Sequence, residues 1–132
     1  MAIEIKFIFP AIVFYTDKVS KGDKYVVRGK AAGPFVIIGK AYARDMGLLA
    51  HELTHVKQFW TRGLLIHTNL YALIRRYRLH CECQAYHQQW LKGDEQSELK
   101  KQDFTDRIWL FYNLKYPRPF VEKTFYSYFK KN

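Results

Sequence analysis

The sequence predicts an α+β fold: a small N-terminal sheet of three to four strands packed on one helix, then a long second helix and C-terminal helices. Two observations predict it. Up to about residue 40, apolar residues alternate or form short runs closed by Gly and Pro. From about Asp45 they recur at helical spacing instead. The 132 residues suit one domain spanning 1–132. With 48% hydrophobic and 17% aromatic residues, the chain can build a core and is not compositionally disordered.

The elements follow in order. Ile3, Ile5, Phe7 and Phe9 alternate with Glu4, Lys6 and Ile8, as in a half-buried strand ending at Pro10. Ala11 to Tyr15 is a second apolar run. Turn residues Ser20, Gly22 and Asp23 precede a strand-like run, Tyr25-Val26-Val27. Gly33-Pro34 punctuates, and Phe35 to Ile38 is a further strand closed by Gly39. Asp45 is placed to cap the first helix, and Gly63 to end it. On that helix Leu49, Leu53, Val56 and Trp60 share one face, the expected core stripe, with His51, Glu52 and His55 on the other side. Asn69 to Leu91 reads as one long helix with an apolar stripe of Leu70, Ile74, Tyr77, Cys81 and Ala85, ended by Gly93. Asp94 is the expected start of a third helix reaching about Leu114. Pro117 and Pro119 break the chain, and Phe120 to Phe129 reads as a short helix packed on the body.

Composition narrows the function classes. Cys81 and Cys83 diverge on a helix, so no disulfide framework is expected, as suits a reducing compartment. The N-terminal apolar stretch is interrupted by Glu4, Lys6 and Pro10, unlike a signal peptide. No apolar run approaches the ~20 residues of a membrane helix, so a soluble, cytoplasmic protein without a membrane span is expected. The net charge of +10, from 22 Lys and Arg against 12 Asp and Glu, raises affinity for anionic partners such as nucleic acid, anionic lipid or acidic cell-wall polymer. Lys57, Arg75, Arg76 and Arg78 read either as an anionic-substrate patch near a cleft or as a solvated helix face.

The chemistry centres on His51-Glu52-Leu53-Thr54-His55. Positions i and i+4 project one helical turn apart on one face, so the two imidazoles can bind one Zn²⁺. The intervening Glu52 can then take a proton from a water bound beside it. A catalytic zinc has three protein ligands and one open position. The downstream candidates are His67, His80, Glu82 and His87. Glu82 borders the apolar stripe of the second helix, whereas His80 and His87 lie on a different side, so helix geometry favours Glu82.

His51-Glu52-x-x-His55, the apolar strand before it, and Glu82-Cys83-Gln84-Ala85-Tyr86 on a downstream helix resemble the gluzincin clan of zinc peptidases, in its minimal members. The resemblance covers about Phe35 to Gln89. It implies a peptidase-like scaffold in which Glu82 is the third ligand and an edge strand lines the cleft. One position departs from the pattern. Where thermolysin-like members carry an Asp four residues after the ligand Glu, this chain has Tyr86. The orienting partner of His51 is therefore unassigned.

The expected activity is zinc-dependent hydrolysis of peptide or protein substrates, with Glu52 as general base. Tyr86, His87, Tyr112 and Arg78 are candidate oxyanion donors, and Phe35 to Ile38 is the expected edge strand for an extended substrate. Two alternatives stand beside this. One is a SprT-like, nucleic-acid-associated zinc protease, whose third ligand would be His67 or His80. The other is a non-catalytic, zinc-stabilised binding or assembly protein.

Overall fold

The computed structural model describes residues 3–17 and 28–130. Four strands come first: β1 (Glu4–Ile8), β2 (Ala11–Thr16), β3 (Gly29–Ala32) and β4 (Phe35–Gly39). Five helices follow: α1 (Met46–Arg62), α2 (Leu64–Leu73), α3 (Arg75–Lys92), α4 (Glu98–Phe111) and α5 (Arg118–Ser127). The α+β reading holds. The expected run Tyr25-Val26-Val27 and the turn at Ser20, Gly22 and Asp23 lie outside the described residues. No helix among the described residues is long and apolar enough to cross a membrane.

The sheet is mixed, in the order β1-β2-β4-β3. β2 runs antiparallel to β1 and parallel to β4, and β3 closes the far edge antiparallel to β4. Ala11, Val13 and Tyr15 alternate inward along β2, and the register sets Val13 beside Val36 and Tyr15 beside Ile38. These side chains, with Leu48 and Val56 of α1, form the first hydrophobic cluster. Burying each such aliphatic contributes roughly 1.5–3 kcal/mol.

Two strand expectations are corrected. β1 is not half-buried: Phe7 is 82% and Phe9 95% exposed. The register turns Glu4 and Lys6 to the side of Tyr15 and Val13, and so sends Ile5 and Phe7 to the opposite side. α1 packs over β3 and β4, on the far side of the sheet from β1. Phe35–Ile38 is not an edge either, because β4 is paired on both sides, and among the described residues the edge nearest α1 is β3.

The helical half follows local signals at most ends. The Asp45 carboxylate accepts from the Leu48 amide at 2.9 Å, as a cap should. Gly63 ends α1 in a left-handed conformation, φ 87°. Gly93 caps α3, and α5 starts two residues before the expected Phe120–Phe129 segment, with Pro119 in its first turn, where proline is tolerated. α4 begins later than expected: Ser97, not Asp94, is its cap, accepting from the Lys100 amide at 3.1 Å.

The expected helix over Asn69–Leu91 is two helices. The chain leaves helical geometry at Ile74 (φ −109°, ψ 101°). Arg78 compensates for the hydrogen bonds lost at the break. Its Nη1 donates to the carbonyls of Tyr71 and Ala72 at the end of α2, at 2.7 and 3.2 Å. Its Nε and Nη2 donate to the carbonyls of Tyr112 and Asn113 beyond α4. Arg78 is thus a structural clamp, with its donors turned to main-chain carbonyls. Arg75 stacks on Tyr116 at 4.7 Å.

α3 joins two cores. Its partner on one side is α1, whose other face carries the sheet cluster. On the other, Leu79, Cys83 and Tyr86 pack with Phe104, Ile108 and Phe125 in the second cluster. α1 and α3 approach closely at Gly47, where an added Cβ would lie 2.8 Å from the Gln89 carbonyl oxygen and 3.1 Å from Gly93 Cα. Backbone atoms cannot yield as a flexible side chain would. Gly47→Ala should therefore destabilise the fold by about 1–3 kcal/mol, read as a lower denaturant midpoint at unchanged m. A midpoint equal to the parent's would contradict this account of the helix contact.

Candidate metal centre

α1 lies between the sheet and α3, so it is buried on more than one side. This overturns the expected division into one core stripe and a separate polar stripe. His51, Glu52, Val56 and Phe59 are all buried, Leu49 and Leu53 are half-buried, and Trp60 is 58% exposed. The Trp60 indole N–H donates to the Pro10 carbonyl at 3.1 Å. The motif therefore faces the α1–α3 interface, not solvent.

His51, Glu52 and His55 bring one ligand atom each within 4.8 Å of one another, an arrangement that can hold a metal ion. Glu82, on α3, reaches the same point. Its Oε1 lies 3.5 Å from His51 Nε2 and 3.2 Å from His55 Nε2, and the two Nε2 atoms are 3.2 Å apart. Three donor atoms from two helices thus close a triangle. Glu82 is 1% exposed, and its Oε1 has no aligned hydrogen bond despite the two close nitrogens.

The surrounding contacts orient these groups. The Gln58 amide nitrogen donates to the Cys81 carbonyl at 3.0 Å and to Gln84 Oε1 at 2.9 Å. A main-chain carbonyl only accepts, so Gln58 Oε1 must be the atom facing His55 Nδ1, at 2.9 Å. That places a proton on His55 Nδ1 and leaves Nε2 as the atom facing the triangle. On the other side, the Tyr71 hydroxyl of α2 donates to Glu82 Oε2, leaving Oε1 to the histidines. His51 Nδ1 is buried without a hydrogen-bond partner among the described residues. The Tyr86 ring stands edge-on to His51, centroids 4.4 Å apart, and its hydroxyl meets that of Tyr112 at 2.9 Å.

The electrostatics follow from burial and proximity. Burial works to raise the Glu82 pKa, but His55 and His51 outweigh it and hold the carboxyl well below the usual range. Burial works to lower that of His55, but the Glu82 charge beside it outweighs burial and lifts the ring to about 9. Glu52 is raised, chiefly by burial, with the two histidines opposing. Burial and the Glu82 charge raise Tyr71, Tyr86 and Tyr112, keeping all three hydroxyls protonated.

The other histidines lie outside the triangle. His67 Nδ1 meets the Tyr77 hydroxyl at 2.8 Å, His80 Nδ1 meets the Tyr128 hydroxyl at 2.6 Å, and His87 stacks on Phe129. Tyr71 and Gln58 are site residues that sequence reasoning missed. Gln58 had a signal, since it follows His55 by three positions on the same face. Tyr71 had none, because the break at Ile74 directs it to Glu82. Comparison with family models, curated proteins and solved structures finds no match for this chain.

If Glu82 completes the site, Glu82→Ala should abolish metal retention, whereas His67→Ala and His80→Ala should leave stoichiometry unchanged. Elemental analysis of the purified variants distinguishes the two sets. Tyr71→Phe and Gln58→Leu should each weaken metal affinity by about 10–100-fold, as loss of a ligand's orienting partner does. Competition with a chromogenic chelator measures that shift, and parental affinity in both variants would refute the orienting roles.

Proposed function

We propose that this chain is a zinc-dependent metallopeptidase of gluzincin type, with His51, His55 and Glu82 holding the metal and Glu52 acting as general base. The observation that carries the reading is the triangle itself. Tetrahedral zinc with bonds near 2.0–2.1 Å separates its ligand atoms by about 3.3 Å, and the three distances here are 3.2, 3.2 and 3.5 Å. Two imidazoles and a carboxylate are a donor set suited to zinc. Bound there, zinc would polarise a carbonyl and acidify a water.

The chain's own residues supply the remaining functions. Glu52 Oε1 lies 3.8 Å from His51 Nε2, beside the triangle, and Oε2 is buried without a partner among the described residues. A carboxylate whose pKa burial has raised is a stronger base. It can take a proton from the attacking water and return it to the leaving amine. Because the Tyr86 and Tyr112 hydroxyls bond to each other, the pair leaves one O–H free to donate, with the Tyr86 ring standing against His51. Substrate alignment falls to the edge of β3, unpaired on its outer side among the described residues, in place of β4: a Cβ added at Gly29 would lie 3.6 Å from Glu52 Cγ. An extended peptide adding to that edge would pass beside the base.

Burial favours one second reading. His51 and Glu52 are each 5% exposed, and Glu52 lies close enough to serve as a fourth ligand, which would close the site as in a structural centre. Nothing brings His67 or His80 to the triangle, so the SprT-like alternative finds no comparable support.

Glu52→Gln separates the two readings. For a peptidase, the variant should retain metal and lose peptide-library cleavage by about 10²–10⁴-fold. For a structural centre, it should lose metal or stability, with no cleavage by the parent protein.

A further inference from the structure

Beside Gln58, α1 and α3 line an open groove of about 620 Å³. Its lining includes Lys57 and Arg62 from α1, Arg76 and His80 from α3, and no carboxylate among the described residues. Gln58, Gln84 and Gln88 add neutral amides, and Tyr77 and Tyr128 add ring edges and hydroxyls. Arg62 lies over the Tyr77 ring at 5.8 Å. Lys57, Arg62 and Arg76 are exposed and make no ion pair among the described residues.

The molecule supplies its own contrast. Another cavity, of about 380 Å³, carries Arg28, Arg44, Lys100 and Arg107, but Asp45, Asp94 and Glu95 stand among them. Dispersed charge gives that mixed composition. Cations gathered around one concavity without an anion repel one another, and a bound anion removes that cost. A phosphate group, with up to two charges and several acceptor oxygens, suits two guanidinium forks and an ammonium.

We propose that the groove between α1 and α3 is a binding site for phosphate-bearing ligands, held by Lys57, Arg62 and Arg76. This site is independent of the peptidase reading, because none of these residues belongs to the triangle. It shares one wall with the metal centre: Gln58 and Cys81 line the groove, and Gln58 also holds His55 Nδ1. A ligand seated there contacts the residue that fixes the His55 tautomer.

The test uses the full chain and two probes, a fluorescein-labelled fifteen-residue oligothymidylate and inorganic pyrophosphate. Binding is compared in the parent, in a groove variant (Lys57→Gln, Arg62→Gln and Arg76→Gln together, and each singly) and in a charge-matched control (Lys115→Gln, Lys123→Gln, Lys130→Gln). The groove variant should bind at least tenfold more weakly, while the control stays within about twofold. Three lost phosphate contacts at about 0.7 each should lower the log–log salt slope for the strand by about 2. Groove-dependent binding of pyrophosphate identifies a small phosphate ligand, and strand binding without it identifies a nucleic-acid backbone; either supports the site. Equal weakening in both variants, or no binding of either probe by the parent, overturns it. Unchanged metal content in the groove variant keeps this outcome separate from that of the metal centre.

Discussion

The contact between α1 and α3 is the constraint on which the rest of the structure depends. It carries a buried carboxylate, Glu82, against two imidazoles from the other helix. Leaving such a group without its partners costs about 3–5 kcal/mol. The interface must therefore hold its register closely. Two features at its length do so. Gly47 lets the helices meet with no Cβ between them, and Gln58 bridges from α1 to the Cys81 carbonyl of α3.

From this contact the two halves of the molecule take their places. On one side, α1 lays Leu48 and Val56 on the sheet. On the other, α3 lays Leu79, Cys83 and Tyr86 on α4 and α5. Neither half encloses the polar triangle alone. α2 is attached differently: none of its described side chains is fully buried. It is fixed by polar links, namely Tyr71 to Glu82, His67 to Tyr77, and the Arg78 guanidinium on its last carbonyls. The Tyr71 link makes the position of α2 and the orientation of the carboxylate parts of one arrangement.

The candidate metal centre and the basic groove occupy two sides of this helix pair and meet at Gln58. A side-chain amide has two distinct ends, and here each serves a different neighbour. The oxygen faces His55, and the nitrogen faces Cys81 and Gln84. Any displacement of Gln84 by a groove ligand therefore acts on the same amide that orients the histidine. Deep burial has a parallel consequence: it raises the Glu52 pKa, with His51 and His55 opposing.

Features within one helix were legible in the sequence. The i, i+4 spacing of His51 and His55, the Asp45 cap, the Gly63 stop and the inward position of Glu82 follow from a fixed 100° per residue and from backbone chemistry. The tertiary structure decided what lies between elements. It placed β4 inside the sheet and β3 at the edge, left Phe7 and Phe9 outward, and buried the face of α1 that looked polar. It broke the second helix at Ile74, which brought Tyr71 to Glu82, and it gathered Lys57, Arg62 and Arg76 around one groove. The physical reason is one of range. Side-chain direction along a helix is set by covalent geometry, whereas which faces meet depends on packing that no local pattern records.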